Sequence, residues 1–274
     1  MEEYSDFAYV YDELMDNIPY REWSELIDGF IVKYGISEKM SDKKDISDDD
    51  EDSLKDLALA SEKNLVLDLG CGTGTLTEMM YKKGYDMIGV DFSTQMLEVA
   101  MNKKLSSGAE ILYLNQDMRE LDMYSTIGTV YSVCDSINYL LTDEDVLKTF
   151  SLVHKFLYPD GIFIFDFNTV HKYETAYGDS TIAEDREDCA FIWENFYDEA
   201  THINEYELSI FVKVSEPDRF RRFTENHFQR GYTLKEMEGF LKKCDFEILK
   251  EMDADSKDTP DDNSERVFIV ARKK

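Results

Sequence analysis

The stretch "VLDLGCGTG", residues 66–74, constrains this chain more than any other: an apolar run breaks directly into three glycines set one residue apart. After a buried strand, Gly70, Gly72 and Gly74 let the chain turn tightly and let its backbone approach a ligand where a Cβ would intrude. A helix is expected to start near Thr75, with its amide end beside the same space.

The flanking segments suit such a strand-to-helix turn. "NLVLDLG" reads as a strand, "LTEMMYKKG" as a helix ending at Gly84, "DMIGVD" as a strand and "STQMLEVAMNKKL" as a helix capped by Ser93. The alternation continues through "AEILYLNQD", "IGTVYSVCDS", the helix "EDVLKTFSLVHKFL" and the strand "GIFIFDF". Strands alternating with helices predict an α/β fold, a parallel sheet with helices on both faces. The pattern then changes. Residues 190–233 hold three strand-like runs, "AFIWENFYD", "HINEYELSIFVKV" and "FRRFTENHFQRGYT", which predict a three-stranded antiparallel insertion. After the helix "TLKEMEGFLKKC" the chain ends in two strands, "FEILKEM" and "RVFIVARK". Their acidic connection leaves no room for a crossover helix, so they pair antiparallel and the main sheet is mixed.

At the N-terminus, Phe7, Val10, Tyr11 and Leu14, then Trp23, Leu26, Ile27 and Phe30, recur at helical spacing on either side of Pro19, which predicts two helices. The segment that follows carries a run of acids at Asp48–Asp52 and few large apolar residues, the composition of a mobile insertion. The boundaries expected are an N-terminal helical segment at 1–40, the acidic insertion at 41–63, a core built from 64–170 and 232–274, and the β insertion at 171–231.

A net charge of -29 argues against direct, unassisted binding to nucleic acid or an anionic membrane, which needs clustered Lys and Arg. Cys71, Cys134, Cys189 and Cys244 are scattered with no zinc-type spacing, so free thiols in a cytoplasmic protein are expected and no metal site. No apolar run approaches the roughly 20 residues that span a bilayer.

The strand after the glycine turn ends in Asp91, where a carboxylate can take both hydroxyls of a ribose. Glycine turn and acid together point to a nucleoside-containing ligand. The turn reads G-x-G-x-G, not the G-x-G-x-x-G of nicotinamide folds, and Asp68 precedes it by two residues. A carboxylate there repels a pyrophosphate and suits a cationic ligand. "VLDLGCGTG", "GVDFS" and "NQDM" resemble the motifs of the class I S-adenosylmethionine-dependent methyltransferases. "FAYVYDELMDNIPYREW" and "HFQRGYTLKEMEGFLKKCDFE" are similar to the bacterial YqeM-type methyltransferases and, more loosely, to sugar and small-amine N-methyltransferases.

The resemblance implies a Rossmann-like fold with a seven-stranded mixed sheet, an antiparallel terminal hairpin, and the insertion as a lid over the acceptor. It implies S-adenosyl-L-methionine as cofactor and S-adenosyl-L-homocysteine as product. Carried over by position, Gly70, Cys71 and Gly72 lie along the methionine part, Asp91 binds the ribose, and Phe92 and Met96 flank adenine. Asp117 accepts from its exocyclic amine, Met118 adds a backbone contact, and Cys134 offers its carbonyl to the ligand's amino group. Candidates for acceptor binding are Asn138, Asp166, Asn168 and Arg230; Asp135 is a candidate to hold a cationic amine, Tyr11 to cover the sulfonium, and His227 to act as base. The acceptor implied is an N or O atom of a small molecule. Methylation of RNA or of a ribosome-associated protein through a partner, and a non-catalytic sensor or scaffold, remain open, as do monomer and homodimer.

Overall fold

The computed structural model describes residues 8–14, 18–40, 61–214 and 219–274. Phe7 and the acidic run 48–52 lie outside the described residues. Strands β1 (Leu65–Leu69), β2 (Asp86–Asp91), β3 (Leu112–Asn115), β4 (Ile127–Ser132), β5 (Leu157–Asn168), β10 (Phe246–Asp253) and β11 (Arg266–Lys273) form one sheet. Its order is β10-β11-β5-β4-β1-β2-β3. β1 to β5 pair in parallel, whereas β11 runs antiparallel to both β5 and β10. The one reversed strand is thus second from the edge.

Period-2 alternation divides the sheet between two cores. Leu67 and Leu69 of β1 and Phe163, Phe165 and Phe167 of β5 enter one core with Phe150 and Val153 of α5 (Asp143–Phe156). Val66, Ile162 and Ile164 enter the other with Trp23, Ile27 and Ile31 of α2 (Tyr20–Tyr34) and Met80 of α3 (Thr75–Lys82). Asp68 shares the face of Val66, and Asp166 that of Ile162 and Ile164, so two acids sit on an apolar face. Helix α4 (Thr94–Ser107) starts at Ser93, whose hydroxyl accepts from the Met96 amide. Helix α6 (Leu234–Lys243) opens with a capping box between Thr233 and Glu236.

The insertion contains four strands, not the three expected: β6 (Thr181–Asp185), β7 (Cys189–Asp198), β8 (Ile203–Lys213) and β9 (Phe220–Arg230), in that order. The extra strand, "TIAED", is a short edge strand whose residues are exposed or half-buried, so it carries no apolar run to announce it. On the inner face of this sheet, Tyr206, Leu208 and Ile210 of β8 meet Ala8 and Leu14 of α1 (Ala8–Leu14) and Met96 of α4. The insertion therefore closes over the carboxyl ends of the parallel strands, with α1 between it and the core. Among the described residues, no helix is long and apolar enough to cross a membrane.

Candidate active site

The loop after β1 is held in left-handed backbone: φ is +85° at Gly70, +53° at Gly72 and +74° at Gly74. A Cβ on Gly74 would lie 2.4 Å from the Tyr113 hydroxyl, so the loop packs there without clearance. At Gly72 a Cβ would meet nothing within 4 Å, because that face is open to the cavity. Three of the loop's amides are turned inward. Those of Gly70 and Cys71 both donate to the Val90 carbonyl, and that of Gly72 donates to Asp91 Oδ2 at 2.8 Å. Asp91 Oδ1 accepts from the Ser93 amide, also at 2.8 Å. Burial raises the Asp91 carboxyl above its usual range against these two donors. A loop with these three amides turned inward offers a pyrophosphate few donors. Its carbonyl oxygens and the two nearby acids suit a cation instead.

Asp68 is 2% exposed and accepts from the Thr77 hydroxyl at 2.6 Å and the Tyr131 hydroxyl at 2.9 Å. Burial pushes its carboxyl up to about 7, the two hydroxyl donors opposing that rise and Asp91 adding to it. Helix α1 is fastened to the same loop: Asp12 accepts from the Thr73 hydroxyl at 2.7 Å and the Thr75 hydroxyl at 3.0 Å, and pairs with Lys103 of α4. Tyr11 is thereby held over the cavity, hydrogen-bonded to Tyr20, its hydroxyl pushed up by burial and by Cys134.

β4 ends in two consecutive non-glycine residues with positive φ, Cys134 at 62° and Asp135 at 56°. Strain of this kind persists only where surrounding contacts fix it. The Asp135 amide donates to Asp166 Oδ1 at 3.2 Å, and Arg266 of β11 joins both acids, with Nη2 2.8 Å from Asp135 Oδ1 and Nη1 on Asp166. Gln229 Nε2 donates to Asp135 Oδ2 at 2.9 Å, tying the insertion to the core. Burial would raise the Asp135 carboxyl, but Arg266, Lys172 and Gln229 outweigh it and leave it below the usual range. The Cys134 thiol is pushed well up by burial and by both acids, which removes it as a nucleophile.

A cavity of about 390 Å³ joins these parts. It is lined by Asp68, Gly70, Cys71, Gly72, Asp91, Phe92, Met96, Asp117, Met118, Cys134, Asp135 and Tyr11, and on its far wall by Tyr139, Phe191, Trp193, Tyr206 and Gln229. Gly74 stands behind this wall as the N-cap of α3. Five other expected residues do not line the cavity. Asn138 is completely buried and ties chains together, with Nδ2 donating to the carbonyls of Asn168 and Arg230. Asn168 hydrogen-bonds Tyr173 and Lys172, and Asp166 holds Arg266. Arg230 pairs with Asp143 and Glu236. His227 is completely buried behind Tyr206 and Tyr139. Residues 225, 227 and 229 share the inner face of β9, so His227 and Arg230 cannot face one ligand together. Asp117 lines the cavity, but Arg119 engages both its oxygens and holds its carboxyl below the usual range. Gln229, Tyr139, Tyr206 and Arg266 were not expected from the sequence. Parity on β9 was the available signal for Gln229; the others depend on contacts between segments far apart in the chain.

A family model described as a methyltransferase domain matches residues 66–161. YqeM of Bacillus subtilis (strain 168), a protein provisionally named as a methyltransferase, is 37% identical over 98% of this chain and 97% of its own length. The crystal structure of an S-adenosylmethionine-dependent methyltransferase from Clostridium acetobutylicum superposes with a TM-score of 0.80 at 27% identity, covering 98% of both chains. An amino pentose methyltransferase from Micromonospora echinaspora, solved with S-adenosylmethionine bound, shares the fold with a TM-score of 0.61 at 17% identity, over 81% of this chain and 89% of that one.

Proposed function

This chain belongs to the YqeM-type family of S-adenosylmethionine-dependent methyltransferases, and we propose that it methylates an N or O atom of a small molecule held against the aromatic wall of the cavity. The observation that carries this reading is continuity. One continuous space runs from the glycine loop and Asp91 to Tyr139, Trp193 and Tyr206, with the β insertion and α1 over it.

The cofactor, when bound, supplies a methyl group activated on a sulfonium, so the protein's task is chiefly alignment and exclusion of water. Asp91 is the group for the ribose, since its carboxylate, fixed by backbone amides on both oxygens, retains acceptor capacity at the cavity wall. The carbonyl-presenting loop at Gly70–Gly72, with Asp68 beneath it, suits the cationic methionine end. Phe92 and Met96 are the flanks for adenine. The adenine edge is left to the Met118 backbone, because the Asp117 carboxylate is already paired with Arg119. On the acceptor side, Asp135 and Gln229 hold each other and set the position of the strained turn.

The test is methyl transfer from methyl-labelled S-adenosylmethionine to three substrate pools: small amines and alcohols, total RNA, and ribosomes. Label in the small-molecule pool is expected. Label in RNA or ribosomal protein alone would overturn the acceptor assignment while leaving the family intact.

A further inference from the structure

Among the described residues, the cavity's charged lining is four acids, Asp68, Asp91, Asp117 and Asp135, and one cation, Arg119; Asp117 is paired with Arg119 and Asp135 with Arg266 behind the wall, which leaves no free cation on the lining. The acceptor end adds the rings of Trp193, Tyr206 and Tyr139, whose faces attract a cation. Such a chamber favours an amine in its ammonium form, and an ammonium nitrogen has no lone pair. It must lose a proton before it can be methylated. Asp135 is a poor base, because Arg266 and Gln229 occupy both its oxygens and keep it ionised.

A second route leads out of the chamber. The Tyr206 hydroxyl lies 2.8 Å from the Tyr139 hydroxyl, which lies 3.5 Å from Nδ1 of His227. On the other side of that imidazole, Nε2 is 3.3 Å from Oε2 of Glu225. The Glu225 carboxylate is 7% exposed and has no hydrogen-bond partner among the described residues. A buried carboxylate in this position stabilises a positive charge that arrives beside it. Burial and neighbouring Tyr139 push the Tyr206 hydroxyl well above the usual tyrosine range, so it remains a neutral hydroxyl able to relay a proton.

Resting on the methyltransferase reading above, we propose that the acceptor is an amine, bound as ammonium on the aromatic wall, and that its proton passes through Tyr206 and Tyr139 to His227. In balance, the Tyr206 oxygen takes the N–H proton as its own moves to the Tyr139 oxygen, and the Tyr139 proton moves to His227 Nδ1. Both tyrosines end neutral, the imidazole becomes imidazolium opposite Glu225, and the amine nitrogen regains its lone pair. His227 acts through the tyrosines and is a positioning and proton-holding residue, not one that touches the substrate. The groups facing it include Tyr206 from β8, Tyr139 from the turn after β4, and Glu225 from its own strand.

The test uses full-length protein labelled with ¹⁵N-histidine and saturated with S-adenosylhomocysteine, which permits binding but no transfer, and benzylamine as the probe. His227 is identified among the four histidines by its loss in His227→Asn. Benzylamine is expected to bind and to convert the His227 ring from one bound proton to two. In Tyr139→Phe, titrated to the same occupancy by the probe, that conversion should be absent. An unchanged His227 signature on binding, or conversion that persists in Tyr139→Phe, overturns the relay. Failure of benzylamine to bind a protein that does bind S-adenosylhomocysteine overturns the amine assignment. Failure of S-adenosylhomocysteine itself defeats the underlying reading as well, and calorimetric titration separates these cases.

Discussion

Replacing Arg266 with methionine keeps most of the side chain that lies over Trp23, with the guanidinium carbon 5.4 Å from the ring, but removes the charge. The loss falls unequally on its two partners. Asp166 is completely buried, whereas Asp135 is about a quarter exposed at its side chain and retains Gln229 as a donor. Breaking one partner out of a buried ion pair costs about 3–5 kcal/mol, and the partial rescue of Asp135 places Arg266→Met near the lower end. For a chain of this size each kcal/mol shifts Tm by roughly 2–4 °C, so a fall of about 6–12 °C is expected in calorimetric scans at pH 7.5. The deficit should shrink toward pH 5, because Asp166, already raised by burial, takes a proton more readily once its cation is gone. The double variant Arg266→Met/Asp166→Asn should recover much of the loss at neutral pH. A Tm within about 2 °C of wild type, or a deficit that ignores pH, would refute the assignment of Arg266 as the counter-charge that sustains the Asp135 turn.

Three further outcomes are expected. Asp91→Ala strands the amides of Gly72 and Ser93 and removes the ribose acceptor; S-adenosylhomocysteine binding should weaken by about 1–3 kcal/mol in titration calorimetry, and equal affinity in a folded variant would count against that role. Gly72→Ala introduces a Cβ that meets no protein atom within 4 Å but strains a φ of +53°; stability should drop by roughly 1–2 kcal/mol while cofactor affinity falls by more than tenfold, and the reverse ranking would place the ligand elsewhere. Asp68, raised to about 7 from an ordinary 3.8, holds a proton in the folded chain that the unfolded chain has lost between those values, so it makes stability decline as pH rises through that window. Urea melts of Asp68→Asn against wild type should show that decline removed between about pH 4 and pH 7; a constant difference across the window would contradict the raised value.

Local pattern carried most of the core fold. The glycine turn, the alternation from β1 to β5 and the crossover-free ending of β10 and β11 are each statements about neighbours in sequence, and each is present in the structure. β6 escaped because a five-residue edge strand needs no apolar face, only a partner in β7. The site divides along the same line. Asp91 and the glycines lie on one β–loop–α–β unit and could be placed from spacing alone. The fastening of α1 by Asp12 to Thr73, Thr75 and Lys103 joins residues more than 60 positions apart and leaves no local trace. That His227 and Arg230 cannot face one ligand together was legible locally, since an odd separation on one strand sends two side chains to opposite faces. The Arg266 bridge could not have been found that way. It spans 131 residues to Asp135 and 100 to Asp166, and depends on β11 lying next to β5.

The most direct test of the central claim is isothermal titration of the purified protein with S-adenosylmethionine, S-adenosylhomocysteine and NADH. A loop with the amides of Gly70, Cys71 and Gly72 turned inward, followed by an acid at the end of β2, predicts saturable binding of both S-adenosyl compounds and none of NADH. Binding of NADH with neither S-adenosyl compound bound would contradict the account, because the loop would then be accepting a pyrophosphate beside the buried acids Asp68 and Asp91.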